Sequence, residues 1–141
     1  MHRKPVEITI IILFLVFWIT LITMAVTNQF NVASVPSEKF EIFLQEHNPI
    51  VIDLRESVEL ARDPLNYQPL LHLPFQFVEN HLDQIIIPQD NPVLYVCSDG
   101  NRSRLIASLL RKRGYQGYYL KSGLHYFRAA EAQGSRNKVQ G

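Results

Sequence analysis

The chain is poor in the residues that usually narrow a function. It has one cysteine, Cys97, among 141 residues. An intrachain disulfide and any cysteine-rich zinc site are therefore excluded. It also lacks a basic excess. Residues 1–34 carry Arg3 and Lys4 against Glu7, which leaves 12 basic and 12 acidic side chains for the rest. Nucleic-acid binding needs a positive footprint, and this chain does not supply one. Internal repeats and low-complexity segments are absent as well. His47, His72, His81 and His125 are scattered without a second ligand at metal spacing, so they read as structural or surface histidines and no metal is expected. No cofactor is implied.

Charge is missing most conspicuously from Ile8 to Val26, 19 residues that read ITIIILFLVFWITLITMAV. At 1.5 Å per residue such a helix is roughly 28 Å long, close to the thickness of a bilayer's hydrocarbon core. Its threonines fit, because a hydroxyl can bond back to the preceding turn. A cleaved signal peptide is the rival reading, but the apolar core is long for one and Thr23-Met24-Ala25 is a mediocre cleavage pattern. The expectation is an uncleaved single-pass membrane anchor at 1–27. A tether at 28–35, a folded domain at 36–133 and a flexible tail at 134–141 would follow. Arg3 and Lys4 precede the span, and the first basic residue after it is Lys39. That bias puts the N-terminus in the cytoplasm and the domain on the extracytoplasmic, periplasmic side.

Past the span, short apolar runs alternate with amphipathic stretches. Phe40, Phe43 and Leu44 form a helical stripe behind Ser34, Pro36 and Ser37, and Asn48-Pro49 ends it. Ile50 to Leu54 is a β-branched strand, and Glu56 to Arg62 makes one or two helical turns before Asp63-Pro64. Leu70 to Leu73 is a second strand. Phe75, Val78, Leu82, Ile85 and Ile86 are spaced for a helix. Val93 to Val96 is uniformly apolar, as a central parallel strand is. A helix from about Arg102 to Arg113 follows, burying Leu105, Ile106, Leu109 and Leu110, and Gly114 stops it. Tyr118 to Leu120 is a fourth strand, and a helix from Leu124 to about Gln133 closes the domain. Strands alternating with helices imply a parallel sheet covered on both faces, with ligands outside the carboxyl ends of its strands.

Cys97 lies at such an end. The stretch Val93-Leu94-Tyr95-Val96-Cys97-Ser98-Asp99-Gly100-Asn101-Arg102-Ser103 is a strand, a polar loop and the start of a helix. The unpaired N–H groups of a helix N-terminus favour an anion there, and the thiolate is cysteine's reactive form. Gly100 allows the positive φ that a loop curled around one atom needs.

With those residues in place, the chain from about 36 to 132 resembles a single rhodanese domain. In that family a cysteine, four further residues and a basic or polar residue form the active-site loop. Here the loop would run from Cys97 to Arg102, with Ser103 opening the helix. Ile52-Asp53-Leu54-Arg55-Glu56 resembles the Asp-x-Arg stretch after the first strand, and Leu71-His72-Leu73-Pro74 the second strand. Tyr119-Leu120-Lys121-Ser122-Gly123-Leu124 resembles the closing turn, with Ser122 in place of one glycine. Tyr126 stands where tryptophan is usual. The family's Gly-His-Ile-Pro-Gly-Ala segment is replaced by Leu65-Asn66-Tyr67-Gln68-Pro69-Leu70.

The resemblance implies an α/β fold with a mostly parallel five-stranded sheet, flanked by helices on both faces and preceded here by the transmembrane helix. It implies a sulfurtransferase that moves sulfane sulfur from a donor to a thiol acceptor through a Cys97 persulfide. Ser98, Asp99, Gly100, Asn101, Arg102 and Ser103 would bind the substrate, with the Arg102 guanidinium steadying an anion. Asp53 and Arg55 read as a structural brace near the site. Cysteine phosphatases have five residues between cysteine and arginine, one more than here, so that chemistry is disfavoured. A membrane-tethered binding or regulatory module on the same scaffold is the alternative. Asp99 opposes a dianionic donor in the loop, so poor use of thiosulfate is expected.

Overall fold

The computed structural model describes residues 5–30 and 32–139. They form two units, divided after Asn31. The first holds helix α1 (Pro5–Phe30). Its stretch Val6–Thr27 is long and apolar enough to cross a membrane, and it is unburied in the chain. The threonines are satisfied within the helix, as expected. Thr20 Oγ1 donates to the Phe17 carbonyl at 2.7 Å, and Thr23 Oγ1 to that of Thr20 at 2.9 Å.

The second unit contains strands β1 (Ala33–Val35), β2 (Ile50–Asp53), β3 (Leu70–His72), β4 (Val93–Val96) and β5 (Tyr118–Leu120). Between them lie helices α2 (Phe40–His47), α3 (Ser57–Arg62), α4 (Phe75–Asn80) and α5 (Asn101–Lys112), and α6 (Gly123–Val139) follows β5. All strand pairs are parallel, in the order β1-β5-β4-β2-β3. The central position of β4 agrees with its unbroken apolar run.

Alternation along the strands sorts the core into two layers. Ile52, Val93, Tyr95 and Cys97 face Ile106, Ala107 and Leu110 of α5 and Val78 of α4. Val51, Leu94, Val96 and Leu120 face the other way, toward Phe40 of α2 and Leu124 and Phe127 of α6. Both faces are therefore covered, and Cys97 is itself part of the first layer.

Several boundaries depart from the sequence reading. Ala33–Val35 falls in the expected tether but is the edge strand, since Val35 is buried and its carbonyl accepts the Lys121 N–H at 2.9 Å. Three residues are too few for a periodic signal, and a parallel partner 85 positions away decides the matter. The helix expected through Ile86 stops at Asn80, leaving Ile86 among the most exposed apolar side chains. Leu105, expected on the buried face of α5, is exposed, and Ile106 and Leu110 do the packing. The expected tail from 134 is helical through Val139, and 140–141 lie outside the described residues.

Candidate active site at the Cys97 loop

The loop begins where β4 ends. Cys97 is fully buried, and the chain turns at Gly100, whose φ of 88° is the left-handed value anticipated for it. α5 starts at the next residue. This curl brings two backbone donors onto the sulfur. The Gly100 N–H lies 3.1 Å from Sγ and the Ser103 N–H 3.4 Å. Backbone N–H groups converging on one atom suit an anionic sulfur, as in an anion-binding nest. The thiol hydrogen has two acceptors in reach, Ser103 Oγ at 3.4 Å and Asp99 Oδ1 at 3.6 Å. Ser103 in turn donates to the Gly100 carbonyl at 3.1 Å, which pins the first turn of α5.

Contacts from elsewhere hold the loop in this shape. At the start of α6, the Leu124 N–H donates to the Cys97 carbonyl at 2.9 Å and the His125 N–H to that of Ser98 at 3.0 Å. Those carbonyls are turned toward α6, while the Gly100 and Ser103 N–H groups point at the sulfur. Close approach depends on two glycines. A Cβ at Gly123 would stand 2.3 Å from the Ser98 carbonyl oxygen, and one at Gly100 would stand 2.3 Å from that of Lys121. The closing turn is thus pressed against the cysteine loop.

The other expected binding residues divide by what they touch. Arg102 does not stand free. Its Nη1 and Nη2 each donate to a carboxylate oxygen of Glu59 at 2.7 Å, and Nη2 also reaches Ser98 Oγ at 3.1 Å. The Ser98 hydroxyl donates to Glu59 Oε1 at 2.5 Å. The Arg102 hydrogen bonds hold the Glu59 carboxyl far below its ordinary range, against the opposing effect of burial. Glu59 in return raises the Arg102 guanidinium, again against desolvation. Glu59 was not among the residues singled out from the sequence. The one local trace of it is Glu56-x-x-Glu59, in which the Glu59 carboxylate accepts the Glu56 N–H at 2.8 Å and closes the first turn of α3. Its reach to Arg102 spans 43 positions and is invisible along the chain.

Asp99 is exposed. Its carboxylate accepts the Asn101 N–H at 3.0 Å and Asn101 Nδ2 at 2.9 Å. The Asn101 N–H is the larger cause holding Asp99 below the usual carboxylate range, and burial opposes it. Asn101 is therefore engaged with Asp99.

Asp53 and Arg55 form a buried bidentate ion pair one strand over, where Asp53 pairs in register with Val96. Arg55 Nε lies 3.0 Å and Nη2 2.7 Å from Asp53 Oδ2. Nη1 bonds the Asp63 carbonyl at 2.9 Å, and His72 Nε2 meets the Arg55 carbonyl at 2.8 Å. The pair ties β2, β3 and the end of α3 together. His47 stacks on Phe43 and His81 on Phe77. Among the described residues, no group of three His, Cys, Asp or Glu side chains could hold a metal ion.

No family model matches the chain. It is 34% identical over 96 residues to a tRNA sulfurtransferase of Desulfurococcus amylolyticus, a match covering 68% of this chain and 18% of that protein. The chain thus spans under a fifth of that curated relative. Among solved structures, a rhodanese homologue from Thermus thermophilus superimposes with a TM-score of 0.53 at 26% identity, covering 66% of this chain and 98% of the other. A rhodanese-related protein from Thermoplasma volcanium gives 0.59 at 18% identity, covering 70% and 92%. A human single-domain sulfurtransferase gives 0.54 at 17%, covering 70% and 97%. The fold of residues 32–139 is rhodanese-like, a five-stranded parallel sheet with helices on both faces.

Proposed function

We propose that this protein is a membrane-anchored sulfurtransferase that carries sulfane sulfur as a persulfide on Cys97. Likeness to proteins named as sulfurtransferases supports sulfur transfer in general. The observation that carries the finer reading is the sulfur's own setting. Two N–H donors converge on Sγ from a loop with four residues between Cys97 and Arg102, a ring sized for one sulfur atom. Such a ring would hold the terminal anion of Cys–S–S⁻ after transfer. Substrate contact is assigned to Ser98 through Ser103, with the backbone of Gly100 and Ser103 as the principal donors. A thiol, small or protein-borne, would then take the sulfur.

The 8–26 segment would anchor the chain as a single pass, with the domain on the extracytoplasmic side because Arg3 and Lys4 precede the span. The test of function is intact mass after exposure to sulfane donors. A gain of one sulfur that vanishes in Cys97→Ser is expected, and no adduct with any donor would overturn the reading. The scaffold alternative draws on one observation, the full burial of Cys97. It predicts no adduct, with partner binding unaffected by Cys97→Ser.

A further inference from the structure

We propose that the Cys97 loop selects its sulfur donor by charge, accepting a persulfide with at most one negative charge and turning away dianions of the thiosulfate kind. This rests on the sulfur-transfer reading and specifies its substrate class.

Two features of the site carry it. First, the loop's cation is already matched. Both Nη atoms of Arg102 are spent on Glu59 at 2.7 Å, and the third contact of that guanidinium goes to Ser98. The paired groups leave little net field for a second anion. Second, an unmatched carboxylate stands beside the sulfur. Asp99 Oδ1 is 3.6 Å from Sγ on an exposed residue, and its partners, the N–H and side-chain amide of Asn101, are neutral. Arg102, Glu59 and Asp99 together sum to one negative charge. Against this, the nest supplies two neutral N–H dipoles, enough to hold one anionic sulfur.

The transfer step balances without an oxidant. The Cys97 thiolate lone pair forms a bond to the terminal sulfur of R–S–S⁻ while the donor's S–S bond breaks. The electron pair leaves on the inner sulfur as R–S⁻, so Cys–S⁻ and R–S–S⁻ become Cys–S–S⁻ and R–S⁻.

Coulomb energy is linear in donor charge, so the effect of Asp99 on a dianion should be the square of its effect on a monoanion. If Asp99→Asn speeds loading from a monoanionic persulfide about threefold, it should speed loading from thiosulfate about tenfold. Asparagine keeps the oxygen that accepts the Asn101 N–H, which makes this a change of charge more than of shape.

The experiment follows sulfur loading of the full chain in detergent micelles by intact mass. The donors are 2-hydroxyethyl persulfide and thiosulfate, and the proteins are wild type, Asp99→Asn and Glu59→Gln. Expected results are that wild type loads readily from the persulfide and poorly from thiosulfate, and that Asp99→Asn shows the squared relation. Glu59→Gln, by freeing Arg102, should also favour thiosulfate. A salt series on wild type needs no variant. Thiosulfate loading should rise relative to persulfide loading as screening weakens the repulsion. Equal changes for both donors in Asp99→Asn, or wild type using thiosulfate as readily as the persulfide, would overturn charge selection and leave sulfur transfer standing. Failure of every donor to load Cys97 in any variant would overturn both.

Discussion

Glu59 shows how much one side chain can hold together. It fixes Arg102, takes the Ser98 hydroxyl and closes the first turn of α3. Its carboxyl sits below the ordinary value of 4.5 in the folded chain, chiefly because of Arg102. A depressed acid contributes stability that is present above its unfolded value and lost as pH falls through the folded one. Wild type should therefore exceed Glu59→Gln in stability at neutral pH, with the gap closing as pH drops below about 4.5. Urea midpoints for both proteins at pH 7, 4 and 3 check this. Asp53 and Arg55 make a second residue-level case. Because both are buried, replacing Arg55 alone by Met strands a charge and should cost about 3–5 kcal/mol, whereas replacing both by apolar residues should cost less. Tyr95 runs the other way. Its hydroxyl is buried in the core with no hydrogen-bond partner among the described residues, and burial pushes it up. Tyr95→Phe should raise stability by about 1–3 kcal/mol, read from thermal or urea unfolding.

At the scale of elements, the Cys97 loop is set by α6 as much as by β4 and α5. The α6 N-terminus takes the carbonyls of Cys97 and Ser98, and Gly123 permits the contact at a φ of 69°. Gly123→Ala combines positive φ with a clash against the Ser98 carbonyl, so it should cost about 2 kcal/mol or more and slow Cys97 loading even where the protein stays folded. Parallel unfolding and mass measurements separate the two effects. The β1 strand illustrates the opposite limit of legibility. Ser34 and Val35 carry no periodicity, yet pairing with β5 makes them an edge of the sheet. By contrast, β4 and α5 were readable, because an apolar run followed by i, i+3, i+4 spacing is a local signal.

For the molecule as a whole, the first unit is one apolar helix and the second a parallel α/β fold. α1 is apolar on every side, with exposed Ile, Leu, Phe and Val throughout, and the rest of the chain beyond residue 34 has no net charge. Attachment should accordingly depend on the helix and not on surface electrostatics. Membranes bearing the full chain should retain it through alkaline carbonate and high salt. Replacing Arg3 and Lys4 with Glu should weaken or reverse the sidedness, read by protease protection in sealed vesicles.

The sequence by itself determined the apolar span, the parallel α/β class, the cysteine at the end of the central strand and the glycine that turns the loop, because each is written in neighbouring residues. The length of the loop, four residues to Arg102, was also legible. Only the tertiary structure decided what Arg102 does. A free guanidinium and one clamped by Glu59 are the same letters, and the clamp forms because β2 and β4 pair in register and bring the segments that follow them together. The seating of α6 on the cysteine loop and the capture of β1 by β5 are likewise long-range matters. Their energy comes from hydrogen bonds and close packing between distant segments, and local spacing carries no trace of it.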